Sequence, residues 1–222
     1  SGKHTEGLGW FYNGCHSRAE RGLEVSVIGL VDLEENTAYA LNARQSPTDL
    51  PEGQTLMTFY SKHLRELRPA FPKTVLYVLL DGAFAKFGFI NEVRDLNLHA
   101  ISKLRRDAAM RYLYTGPRRP GPGAPKKYDG KVCFDDLSRW ESLGEVEEGL
   151  ALHTVVVWHD SLDRKIRVVM VSKEIDGKRR YVLLFSTDTD LSGQTIYAWY
   201  KSRFQIEFIF RDGKQYMGLA DG

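Results

Sequence analysis

"TVLYVLLDG" (residues 74–82) decides the fold class: seven residues without a charge end abruptly at Asp81 and Gly82. A continuous apolar run of this length reads as a strand buried on both faces, the kind found inside α/β sheets. Its neighbours alternate in type. Upstream, "DLPEGQTLMTFYSKHLRELR" (49–68) places Leu56, Phe59, Tyr60, His63, Leu64 and Leu67 at helical spacing, and Pro69 stops it. Downstream, "AFAKFGFINEVRDLN" (83–97) reads as a second amphipathic helix and "LHAISKLR" (98–105) as another strand. Farther upstream, "GLEVSVIGLVD" (22–32) and "TAYALNARQ" (37–45) make a hairpin across the polar turn "LEEN". Asp81 therefore closes a buried strand, at the end where open α/β sheets gather ligands and catalytic groups.

Beyond residue 105 the texture changes. "YTGPRRPGPGAPKKYDGK" (114–131) holds four of the eight prolines and five Lys/Arg against one acid, so it reads as a basic loop or tongue. "ALHTVVVWH" (151–159), "RKIRVVMVSKE" (164–174) and "RRYVLLFST" (179–187) follow as a three-strand meander with turns at "DSLD" and "IDGK". A helix over 191–214, with Ser192 as its N-cap, closes the chain. The order β–β–α–β–α–β, a strand-rich insertion, then α is the α/β, ribonuclease H-like plan of a mixed sheet with helices, lacking its first strand. On that plan residues 1–105 are core, 106–187 a β-rich insertion, and 188–222 the closing helix of the core.

That helix carries "YKSRFQIEFIFRDGKQ" (200–215), apolar nearly all round except at Tyr200, Arg203, Glu207 and Lys214. At about 100° per residue these four fall near 0°, −60°, −20° and −40°, one polar stripe on a core helix. Whole-chain composition is less specific. The 222 residues are 42% hydrophobic and 12% aromatic, enough for a core, with a formal net charge of +2 that does not by itself announce nucleic acid. Cys15 and Cys133 lie far apart without metal-ligand spacing, which favours a reduced protein and no zinc site. No run approaches the ~20 apolar residues of a membrane span. GxSxG and GxGxxG are absent, so serine-hydrolase and dinucleotide readings have no support.

Y-x2-R-x3-E-x6-K at Tyr200, Arg203, Glu207 and Lys214 resembles the signature of the insertion-sequence DDE transposases of the YREK class. "VLLDGAFAKFGFI" (78–90) is similar to the segment bearing that family's second catalytic aspartate. The resemblance covers nearly the whole chain and implies metal-dependent cleavage of transposon ends, then strand transfer by in-line phosphoryl transfer. It implies Asp81 and Glu207 as catalytic metal ligands for two Mg²⁺, with Mn²⁺ as a substitute. Arg203 and Lys214 would contact phosphates, and Tyr200 the DNA backbone. Implied partners are DNA ends and target, with a homodimer on DNA and no membrane, in the cytoplasm of a bacterium or archaeon. Members that pass through a hairpin end use an aromatic residue of the insertion, for which Trp140 and Trp158 are available.

The family uses three acids, the first on the first strand of the sheet. "SGKHTEGLGWFYNG" (1–14) resembles text following that aspartate, which places it upstream of Ser1 and implies that residues 1–222 alone do not cleave DNA. Asp32, ending an apolar strand, is the internal alternative, although acids are ordinary in such turns. A second reading is a DNA-binding remnant without catalysis. Arg118, Arg119, Lys126 and Lys127 of the tongue suit phosphate tracking, as do Arg105 and Arg106 in "KLRRDAAMR" (103–111). Each has a plain alternative as a solvated base. The six histidines form no ligand pair, and Asp188 and Asp190 shape a turn.

Overall fold

The computed structural model describes residues 6–13, 16–118 and 121–216, the side chains of 13 and 213–216 excepted. In chain order the first elements are β1 (Gly9–Asn13), β2 (Arg18–Gly22), β3 (Val25–Asp32), β4 (Thr37–Gln45), α1 (Leu56–Leu67), β5 (Tyr77–Leu79), α2 (Phe87–Asp95) and β6 (His99–Leu104). They continue with β7 (Met110–Leu113), β8 (Tyr128–Lys131), β9 (Glu141–Glu147), β10 (Leu150–His159), β11 (Arg164–Ile175), β12 (Lys178–Ser186), α3 (Gly193–Ser202) and α4 (Gln205–Tyr216). The chain divides into two compact units, Lys73–Lys201 and the segments Ser1–Pro72 with Ser202–Gly222.

In the unit of residues 73–201, one mixed sheet runs β5-β6-β12-β11-β10-β7-β8, with β9 also on β10. Only the β5–β6 pairing is parallel, Tyr77 lying against His99 and Leu79 against Ile101. The meander of the expected insertion joins this pair directly, because β12 lies antiparallel to β6 from Leu183↔Leu104 to Ser186↔Ile101. One face is sealed by α3. Ile101, Leu152, Val169, Val171 and Leu184 from four strands meet Ile196, and Tyr200 packs at the margin of the same cluster. Burying Ile196 completely stabilises this contact by about 2 kcal/mol. The helix starts so close to the sheet that a Cβ on Gly193 would lie 2.4 Å from Leu143 Cδ1 and would force that side chain to move.

In the other unit, β3 and β4 form the expected hairpin, with a register shift between Ile28 and Gly29. The predicted helix over 49–68 begins only at Leu56. Pro51 and Gly53, the latter at φ +78°, precede it, and Thr55 caps it in reciprocal bonds with Thr58. A buried polar network ties α1 to the hairpin. His63, fully buried, bonds Ser26 Oγ through Nδ1 at 3.0 Å and Asn42 Oδ1 through Nε2 at 2.8 Å. The amide oxygen only accepts, so Nε2 carries the proton and Nδ1 accepts from Ser26. Beside it, Tyr60 donates to Glu24, and Arg44 meets Glu66 at 2.5 Å. α4 lies along β4, and a Cβ on Gly29 would sit 3.2 Å from Ile209 and 3.3 Å from Ile206.

The architecture is mixed α/β with one large mixed sheet and few helices, compatible with a ribonuclease H-like plan. Strands β1, β2, β7, β8 and β9 go beyond the sequence reading. Their residues alternate too weakly to register, as "ESLGEVE" in β9 shows.

Burial, and then the nearby Arg44 charge, hold the His63 imidazole below its ordinary value, against a smaller opposing effect of Glu66. The unfolded chain therefore takes up a proton that the fold resists, and stability falls as pH drops below about 6.5. Denaturant unfolding between pH 8 and pH 5 should show this loss. His63→Leu should cost about 2–3 kcal/mol at pH 8 by stranding Ser26 and Asn42, and should make the pH dependence shallower.

Candidate functional site

Asp81 is placed by backbone hydrogen bonds on both sides. Leu80 N–H donates to Ile101 O at 2.9 Å, extending the parallel ladder one residue past β5. Asp81 keeps extended geometry, φ −67° and ψ 155°, and caps a 3-10 turn over Gly82–Phe84. Its carbonyl accepts from Phe84 N–H at 3.0 Å and from the buried Ser102 hydroxyl at 3.1 Å. The main chain is fixed while the residue is exposed. Continuing the register places Asp81 beside Lys103, both exposed, while Leu80 and Ser102 are buried. Gly82 permits this closeness, since a Cβ there would lie 3.3 Å from Lys103 O.

The terminal helix departs from the expectation of one continuous segment. α3 begins as anticipated, with Ser192 Oγ accepting from Thr195 N–H at 3.1 Å, but it ends at Ser202. Arg203 and Phe204 form a turn, whose carbonyls accept from Ile206 at 3.1 Å and Glu207 at 3.0 Å. No proline or glycine marks the break. The apolar residues before it, Ile196 and Tyr200, serve the core of residues 73–201, whereas Ile206 and Ile209 serve β3. The polar stripe is thereby divided among α3, the turn and α4. Tyr200 is half-buried on α3, Arg203 lies in the turn, and Glu207 is in the first turn of α4, where the helix dipole favours a carboxylate. Glu207 keeps 61% side-chain exposure, with Arg203 Nη2 at 3.9 Å. The Arg203 guanidinium also lies 4.9 Å from the Phe204 ring centre. Lys214 falls on α4, with its side chain outside the described residues.

Asp32 is occupied by its turn. Its Oδ1 accepts from Glu34 N–H at 2.9 Å and Glu35 N–H at 3.0 Å. The basic candidates separate by partner. Arg105 makes a bidentate contact with Asp107, both bonds 2.9 Å, and Arg106 donates to Tyr181 O at 3.1 Å while covering its ring. Lys126 meets Asp129 at 2.5 Å and lies 4.6 Å from the Tyr114 ring centre. These exposed pairs are weak enough to exchange for phosphate. Arg118 and Lys127 are exposed, and Arg119 lies outside the described residues. Trp140 is a core residue whose indole donates to Tyr112 at 3.2 Å, and Trp158 stands against Tyr128.

Asp188 contributes more than a turn. It accepts from Asp190 N–H at 3.0 Å and from the Tyr77 hydroxyl at 2.6 Å. Burial opposes its ionisation, but these bonds outweigh it and hold the carboxyl below its ordinary value. Tyr77 is pushed up to about 12 by burial and by this carboxylate. The pair sits at the amino end of β5, away from Asp81. Only the sheet order, which brings the end of β12 beside β6, could have revealed it.

Asp81 and Glu207 have the chemistry of hard-cation ligands, exposed carboxylates on regular backbone. Among the described residues, however, no three His, Cys, Asp or Glu side chains gather into a metal-holding group, and the two acids belong to different units. Asp32→Ala should cost about 1 kcal/mol through the hairpin turn and leave Mn²⁺ binding unchanged. Denaturant unfolding and Mn²⁺ titration check this, and lost Mn²⁺ binding would make Asp32 a ligand.

Residues 6–221 match the family described as transposase DDE domain. A search of curated proteins finds no match.

Proposed function

Because this chain belongs to the transposase DDE domain family, we propose that it is the catalytic domain of a DNA transposase of the YREK-signature class. The observation that carries this is Asp81, an exposed carboxylate at the carboxyl end of a parallel strand pair, with its backbone pinned on both sides. The Tyr200, Arg203, Glu207 and Lys214 spacing supports the class.

In this reading Asp81 and Glu207 hold divalent metal, Mg²⁺ or Mn²⁺. Bound metal supplies Lewis-acid activation of the attacking oxygen and neutralises charge at phosphorus. The chain's own groups bind and orient the DNA. Arg203 offers a planar fork for phosphate oxygens, and Lys214 a point charge. Tyr200, on α3 and packed at the margin of the core cluster, would offer its hydroxyl to the DNA backbone. Arg105, Arg106, Arg118, Arg119, Lys126 and Lys127 neutralise phosphates farther along the strand. A homodimer on DNA would bring two ends together. No described helix is long and apolar enough to cross a membrane.

Asp81→Asn and Glu207→Gln should each weaken Mn²⁺ binding at least tenfold, while duplex binding stays within about twofold. Unchanged Mn²⁺ affinity in both variants would contradict the assignment. Cleavage divides the enzyme from a DNA-binding remnant. Metal-dependent nicking that Asp81→Asn abolishes establishes the enzyme, and nicking that survives this change contradicts the Asp81 assignment.

A further inference from the structure

The hairpin of β11 and β12 carries a charge arrangement that the fold does not explain. All residues from 173 to 180 are exposed, and the two strands turn through Asp176 and Gly177, at φ +52° and +67°. Positive φ at both central residues is the tight two-residue turn that matches strand twist, so this arm is regular to its tip. The register sorts its side chains. Residues directly opposite share a face, which puts Lys173 with Arg180 and Ile175 with Lys178 on one side. The other side holds Glu174 with Arg179 and Ser172 with Tyr181.

The two faces are used differently. On the second, Arg179 has Glu174 directly opposite and reaches the Phe134 and Asp135 carbonyls at 3.4 and 3.5 Å. Tyr181 on that face is covered by Arg106. On the first, the side chains of Lys173, Lys178 and Arg180 make no hydrogen bond or ion pair among the described residues, and no acid stands opposite any of them. Lys173 and Arg180 face each other directly, a like-charge pair that weakens a ladder. The β9–β10 turn, with Glu148 next to the Gly149 that Lys173 approaches, contributes no ion pair to Lys173 among the described residues, and Glu145 accepts from Gly149 N–H. Asp176 occupies the arm's own turn, and Glu147, at the end of β9, is taken by Lys201 at 2.5 Å and Tyr197 at 3.1 Å.

We propose that the Lys173–Lys178–Arg180 face of this arm binds the phosphate backbone of duplex DNA. Three cations on one ribbon face, none engaged by the protein, are complementary to a polyanion and to little else in the molecule. A two-stranded ribbon also has the width that the major groove admits. The contacts are to phosphate, so they position the duplex without reading its sequence. This inference rests on the reading that the chain acts on DNA, and it assigns to the duplex a surface apart from Asp81.

The test uses the intact chain and a short labelled duplex of arbitrary sequence, with affinity measured across a salt series. Lys173→Gln/Lys178→Gln/Arg180→Gln should weaken binding at least tenfold at low salt and make the log K against log salt slope shallower by about 2 to 3. An unchanged slope overturns the proposal. Arg180→Glu separates binding from folding. Its new pairing with Lys173 should hold or raise the melting temperature while lowering DNA affinity, and a fall in both would assign the residue to the arm's structure instead. Mn²⁺ titration of the triple variant keeps the two readings apart. Retained Mn²⁺ binding with lost duplex affinity supports the arm. Unchanged duplex affinity sinks the arm and leaves the Asp81 assignment standing.

Discussion

The parallel pairing of β5 with β6 is the constraint from which the rest of the candidate site follows. Only three residues of β5 are in the ladder, yet the bond from Leu80 to Ile101 carries the register one residue farther. The Ser102 hydroxyl then fixes the Asp81 carbonyl. An exposed carboxylate whose main chain is held on both sides suits a metal or phosphate site, because its backbone is settled before any ligand arrives. The strand is short, but β12 and the meander lie beyond β6 in the same sheet, so its position is supported across many strands.

The terminal segment obeys a second constraint, that one sequence must fill two cores. Ile196 and Tyr200 belong to the cluster under α3, while Ile206 and Ile209 close on Gly29. A single straight helix would place these residues by helical period alone. The turn at Arg203 and Phe204 relaxes that requirement and sets Glu207 at the start of a new helix. There its charge is favoured by the dipole and lightly compensated by Arg203.

Much of this was legible in the sequence because the signals were local. The hairpin across "LEEN" and the Ser192 cap each depend on a few adjacent residues, and each stands where it was read. Asp32 as a turn residue was equally local. The apolar run before Asp81 does not form the expected strand buried on both faces: only Tyr77–Leu79 is strand, half-buried at the sheet edge, with Leu76 exposed. What was not legible depends on distant partners. Periodicity carried the helix straight through Arg203, since nothing in "YKSRFQIE" announces that its two halves pack into different cores. The Tyr77–Asp188 bond spans 111 residues, and the segregation of Lys173, Lys178 and Arg180 appears only once the strand register is known.

The central proposal is that Asp81 and Glu207 are ligands of divalent metal, and paramagnetic broadening by Mn²⁺ tests it most directly. In the amide spectrum of the chain, substoichiometric Mn²⁺ should broaden the signals of Asp81 and Gly82 and those around Glu207 in the same titration step. Broadening at Asp32, or at only one of the two acids, would contradict the account.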